Sequence, residues 1–126
     1  MAQSPHILAI ADSFTIREMV RQTLSAAGFE VTTANDGVDG VETFDQHAFD
    51  AVITDINMPR MDGFGVIESI RDADRARNRV PILVLTTESG PKLKERARAA
   101  GATGWIVKPF DDVALVNVLN RITGKA

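Results

Sequence analysis

The sequence predicts an α/β fold: a parallel sheet of about five strands with helices on both faces. Short apolar runs alternate regularly with longer segments whose apolar residues recur at helical spacing. The runs Ile7–Ala11 and Val80–Thr86 are apolar with little alternation, the pattern of strands covered on both faces, and Ala51–Thr54, with β-branched Val52 and Ile53, reads as a buried strand that ends on Asp55. Right-handed crossovers between parallel strands then leave few topologies.

The first strand, Ile7–Ala11, ends at Asp12-Ser13. Thr15-Ile16-Arg17-Glu18 has the Thr-x-x-Glu spacing of a capping box, and Ile16, Met19, Val20, Leu24 and Ala27 continue as one helix face. Gly28 stops that helix. Glu30–Ala34 reads as a less buried edge strand, because only Val31 and Thr33 share a side. Asn35-Asp36-Gly37 is turn chemistry that also starts a helix, with Val38, Val41 and Phe44 as its stripe. The third strand ends at Asp55, where Pro59 bars continuation of regular structure.

Asp62-Gly63 caps a third helix with Val66, Ile67 and Ile70 on its apolar face. Val80–Thr86 is a central strand, with Pro81 tolerable at its beginning. Pro91 suits the first turn of a fourth helix, Lys92 to Ala100. That helix has only a thin stripe (Leu93, Ala97, Ala100) and is basic through Lys92, Lys94, Arg96 and Arg98. Lying next to Trp105, it reads as a partner surface. Thr103–Val107 is the fifth strand, and Asp111 or Asp112 caps a last helix carrying Leu115, Val118, Leu119 and Ile122.

Composition narrows the function. The chain of 126 residues suits one domain, 1–126, with one interior. A formal net charge of −3 argues against wrapping nucleic acid, whose binding rests on neutralising phosphates. No apolar run reaches the roughly 18 residues of a membrane helix, and no signal peptide is evident, so the expected location is the cytoplasm. The absence of cysteine excludes disulfides, thiolate catalysis and cysteine metal sites. No Gly-rich phosphate loop supports a nucleotide- or flavin-binding enzyme, which the architecture alone would permit.

In a parallel sheet, residues just past each strand collect at one edge, where open α/β sheets place their chemistry. Asp12, Asp55, Thr86 and Lys108 all stand there. Two close carboxylates share a proton or bind a cation, and oxygen-only ligands favour a hard ion such as Mg2+. A loop carbonyl after Asp55 could add a ligand. Such a group fits phosphoryl transfer to a carboxylate, with Asp55 as nucleophile, Lys108 offsetting charge and the Thr86 hydroxyl donating to a phosphoryl oxygen.

The residues Ile10-Ala11-Asp12-Ser13, the run Asp55-Ile56-Asn57-Met58-Pro59-Arg60-Met61-Asp62-Gly63, Leu85-Thr86-Thr87-Glu88 and Lys108-Pro109-Phe110 resemble the response-regulator receiver family. Within it they look like the stand-alone chemotaxis members of the CheY type. The resemblance covers essentially the whole chain. It implies a flavodoxin-like sandwich of five βα units with sheet order 2-1-3-4-5. It also implies phosphorylation of Asp55 by a CheA-like histidine kinase and hydrolysis of the product, rather than turnover of a separate substrate. By the same resemblance Asp12, Asp55 and the backbone carbonyl of Asn57 bind Mg2+, Thr86 and Trp105 are paired switch residues, and Asn57 and Glu88 tune dephosphorylation. The face of the fourth helix, fifth strand and fifth helix then changes its partner affinity. The expected molecule is a monomer whose output is a flagellar motor switch or another signalling protein.

Two departures stand out. The family usually has two adjacent acidic residues after the first strand, and here the first is Ala11, which predicts weaker metal binding. Thr87 replaces a smaller residue and narrows access to Asp55. A pseudo-receiver, the same fold used as a binding module with decayed metal chemistry, is the alternative reading.

Overall fold

The apolar runs become five strands in the computed structural model, which describes residues 4–72, 74–75, 77–87 and 90–124. They are β1 (His6–Ile10), β2 (Glu30–Ala34), β3 (Ala51–Asp55), β4 (Ile82–Thr86) and β5 (Gly104–Val107). All pairings are parallel and the order is β2-β1-β3-β4-β5, as the family resemblance implies. The helices between them are α1 (Phe14–Ala26), α2 (Gly37–Gln46), α3 (Gly63–Ile70), α4 (Pro91–Ala100) and α5 (Asp112–Thr123).

Period-two alternation divides the interior into two layers. Leu8, Ile10, Val52, Ile82 and Val84 face one way and pack with Phe44, Phe64, Val66, Ile67, Ile70 and Ala97 of α2, α3 and α4. Ile7, Ala9, Ile53, Leu83 and Leu85 face the other way and meet Val20, Leu24, Leu115 and Leu119 of α1 and α5. Each fully buried Leu or Ile contributes about 1.5–3 kcal/mol of transfer free energy, so these layers fix the strand ends that carry the site.

Several boundaries differ from expectation for local reasons. β1 runs from His6 to Ile10, although Ala11 N still donates to the Ala34 carbonyl at 3.1 Å. β4 begins at Ile82 rather than Val80, because Pro81 has no N–H for the ladder; its carbonyl still accepts from Val52 N at 2.9 Å. α1 is capped by Ser13, whose Oγ accepts from Ile16 N at 3.2 Å, so Thr15 lies inside the first turn and forms no capping box. On α2 the buried residues are Gly37, Gly40 and Phe44, while Val38 and Val41 are half-buried. A Cβ at Gly40 would press on the Ile10 side chain at 2.5 Å, so the missing side chain lets α2 lie close to β1. Asp36, Asp62 and Asp111 cap α2, α3 and α5 as read from sequence. Among the described residues, no helix is long and apolar enough to cross a membrane.

Candidate functional site

The carboxyl ends of β1, β3 and β4, with the loop after β5, surround a cleft of about 130 Å³. Asp12, Asp55, Asn57, Thr86 and Lys108 all line it, together with Ser13 and Thr87. Five of the seven residues singled out from sequence therefore meet in one place. Trp105 lies outside this lining, and Glu88 falls outside the described residues.

Asp55 ends β3, the middle strand of the sheet, and is 5 % exposed. Lys108 Nζ lies 2.6 Å from its Oδ1. The Lys108 backbone is itself held, because its N–H donates to the Thr86 carbonyl at 2.7 Å. The Lys108–Pro109 peptide is cis. Burial pushes the Asp55 carboxyl above its ordinary pKa; the Lys108 hydrogen bond and charge pull it back, and the charge of Asp12 pushes it up again.

The loop after Asp55 is seated by close backbone contacts. Gly63 N donates to the Ile56 carbonyl at 2.8 Å, and a Cβ at position 63 would overlap the Asp55 carbonyl oxygen. Arg60 adopts φ 69°, a left-handed conformation uncommon for a side-chain-bearing residue. Its Nε lies 3.3 Å from Asp36 Oδ2, at the start of α2. Gly37 leaves room for the Met61 backbone. Sequence reading missed this seat; its signal was the Asp36-Gly37 pair, read as a turn and helix start with no partner in the loop after Asp55.

Asp12 and Asn57 are exposed at the cleft, whereas Ala11 is buried at 4 % exposure. The Ala11 carbonyl is occupied by Arg17 Nη1 at 2.7 Å. Among the described residues no group of three or more His, Cys, Asp or Glu side chains forms a metal cluster. Two acidic side chains, Asp12 and Asp55, line the cleft, and Asn57 lines it from the loop after β3. These are all hard oxygen donors, and two carboxylates on one cleft fit Mg2+, which keeps several waters and takes few protein ligands.

Trp105 is opposite Val84 in the β4–β5 ladder and packs with the α2–α3–α4 layer. Alternation puts Thr86, which is 6 % exposed, on the same face of β4 as Val84. Thr86 and Trp105 are therefore diagonal neighbours on one face. Three of the four cations of α4, the helix read from sequence as a partner surface, lie against aromatic rings. Lys94 Nζ lies 5.2 Å and Arg98 Cζ 5.7 Å from the Trp105 ring centroid, and Arg96 Cζ lies 3.9 Å from that of Phe64.

Sheet order and cleft together define a flavodoxin-like α/β protein with its polar groups gathered at the carboxyl ends of the central strands. The chain belongs to the response regulator receiver domain family, which it matches over residues 7–120, and it is CheY-like within that family. It is 38 % identical over 120 residues to the chemotaxis protein CheY1 of Helicobacter pylori, covering 94 % of this chain and 96 % of that one. Among solved structures it superposes on the chemotaxis protein CheY4 of Vibrio cholerae with a TM-score of 0.89 at 43 % identity, covering 96 % and 99 % of the two chains. The receiver domain of sensor histidine kinase PA1611 from Pseudomonas aeruginosa matches with a TM-score of 0.87 at 28 % identity, over 97 % of this chain and 99 % of that one. That structure is described with a magnesium ion coordinated in its active site cleft.

Proposed function

We propose that this receiver accepts a phosphoryl group on Asp55 from a histidine kinase. The observation that carries the reading is the buried Asp55 carboxylate, 2.6 Å from Lys108 in a cleft shared with Asp12, Asn57 and Thr86. A carboxylate oxygen of Asp55 attacks phosphorus; the P–O bond forms as the P–N bond to the kinase histidine breaks, and the histidine nitrogen keeps the electron pair. Lys108 balances charge on the phosphoryl oxygens, and the Thr86 hydroxyl donates to one of them. Asp12, Asp55 and the Asn57 carbonyl would hold Mg2+, which when bound neutralises phosphoryl charge. Water later cleaves the acyl phosphate, returning the carboxylate and inorganic phosphate; by the family resemblance, Asn57 and Glu88 tune that step.

Thr86, drawn toward the phosphoryl group, frees space that Trp105 takes up, and the face of α4, β5 and α5 changes affinity for its partner. This is a population shift between two packings. Likeness to chemotaxis proteins from Helicobacter pylori and Vibrio cholerae favours a CheA-like kinase as donor and the flagellar motor as output. A phosphate sink or an adaptor would use the same residues.

The test is incubation with Mg2+ and acetyl phosphate. A mass gain of one phosphoryl group, absent in Asp55→Asn, is expected. The second reading, a pseudo-receiver used as a binding module, is favoured by buried Ala11 where a carboxylate would strengthen the metal site. No mass gain, even with a cognate kinase, would favour it.

A further inference from the structure

α4 is poorly held by apolar burial. Ala97 is its one buried residue, and Leu93 and Ala100 are half-buried. Its two ends differ. At the C-terminus Gly101, at φ 113°, donates to the Ala97 and Arg98 carbonyls, and Arg71 Nε donates to the Gly101 carbonyl at 2.9 Å. At the N-terminus Gly90 gives no side-chain cap and stands in open space. Beside this thin apolar contact, three cations of the helix body meet aromatic rings. Lys94 and Arg98 are four residues apart and share one face, over Trp105; Arg96, between them, turns to Phe64 of α3. Indole is the strongest of the side-chain rings for such contacts.

We propose that Lys94 and Arg98 are positioning residues for Trp105: one turn apart on α4, they clasp the indole and set how readily it changes orientation. The inference rests on the switch reading of Trp105. To reorient, the indole must leave both cations or carry α4 with it, which couples the two elements directly. The clasped orientation coexists with an Asp55 carboxylate paired to Lys108, the unmodified arrangement. Loosening the clasp therefore eases the change that phosphorylation would drive.

The test uses Lys94→Met, Arg98→Met and the double variant, which keep apolar stems and remove charge. Trp105 is the only tryptophan, so its emission reports without a label. Acrylamide quenching is read with no phosphodonor, and emission is then titrated with beryllium fluoride at fixed Mg2+. The quenching constant is expected to rise about twofold, and the titration midpoint to fall about threefold for each single variant and about tenfold for the double. Lys94→Arg, keeping the charge, should match the parent. A double variant identical to the parent in both quenching and midpoint overturns the clasp. A parent whose Trp105 emission ignores beryllium fluoride sinks the switch reading instead; the quenching comparison then decides the clasp alone.

Discussion

Lys108 Nζ lies 2.6 Å from Asp55 Oδ1, although 53 positions separate the two residues along the chain. Parallel order brings them together: β4 lies between β3 and β5, and the Lys108 N–H is tied to the Thr86 carbonyl at the end of β4. The side chains are 19 % and 6 % exposed, so the pair is largely shielded from water. Removing one partner of such a pair leaves the other charge uncompensated.

Lys108→Met should therefore raise the Asp55 pKa further above its ordinary value, since the one group pulling it down is gone. Acyl-phosphate formation from acetyl phosphate should fall at least about tenfold, because a positioned charge no longer meets the developing phosphoryl charge. Carboxyl titration by NMR and intact mass measure the two effects. Unchanged phosphorylation kinetics would remove Lys108 from the mechanism.

Asp55→Asn should stabilise the fold at neutral pH. Burial raises the folded-state pKa of Asp55 above its unfolded value, so folding is favoured by the protonated form. That contribution is complete below the unfolded pKa, near 4, and is lost as pH rises through the folded value. At pH 7 the parent bears the cost of a buried carboxylate; the amide does not. Thermal melts should put the variant a few degrees above the parent at pH 7, with the gap closing below about pH 4. A gap that is constant across pH would refute the charge argument.

Gly63→Ala separates close packing from general glycine effects. An added Cβ would overlap the Asp55 carbonyl oxygen and lie 2.9 Å from Ile56 Cα, both backbone atoms that cannot swing aside. Overpacking of this kind costs about 1–3 kcal/mol, and urea unfolding should show it. Gly90→Ala is the control: nothing lies within 4 Å of its added Cβ, and its effect should stay within about 0.5 kcal/mol. Equal losses at both positions would contradict the steric account.

The strands β1 and β4 were legible because burial on both faces leaves a nearly continuous apolar run, and β3 because β-branched Val52 and Ile53 lead into Asp55 and the Pro59 turn. The cleft was legible because parallel topology forces residues just past each strand to one edge, and Asp12, Asp55, Thr86 and Lys108 are all so placed. Choices decided by distant partners were not. Ser13 and Thr15 both offer a hydroxyl, and the winner depends on where the chain leaves β1. Gly40 matters only because Ile10 faces it, and Arg60 takes its left-handed backbone beside an Asp36 far back in the chain. A basic helix reads the same whether or not its cations also lie against rings; the lie of α4 over Trp105 and Phe64 decides that for Lys94, Arg96 and Arg98.

Ala11→Asp should have opposite effects with and without a divalent cation. Ala11 is buried and immediately precedes Asp12, which lines the cleft with Asp55, so the substitution adds a third carboxylate next to that pair. Without metal, three like charges crowded at one sheet edge repel one another, a cost the unfolded chain does not bear. The variant should then melt below the parent at pH 7 and recover below about pH 4, where every carboxyl is protonated in both states. With Mg2+ the same charges become ligands or hold its waters, and affinity should tighten about tenfold. At Mg2+ well above both dissociation constants that difference adds about 1.4 kcal/mol to folding, so the order of the two melting curves should narrow or reverse as Mg2+ is added. A variant that melts below the parent by the same margin at every Mg2+ concentration would mean that the cleft does not gather its oxygens around a cation, and the metal assignment of Asp12 and Asp55 would fall with it.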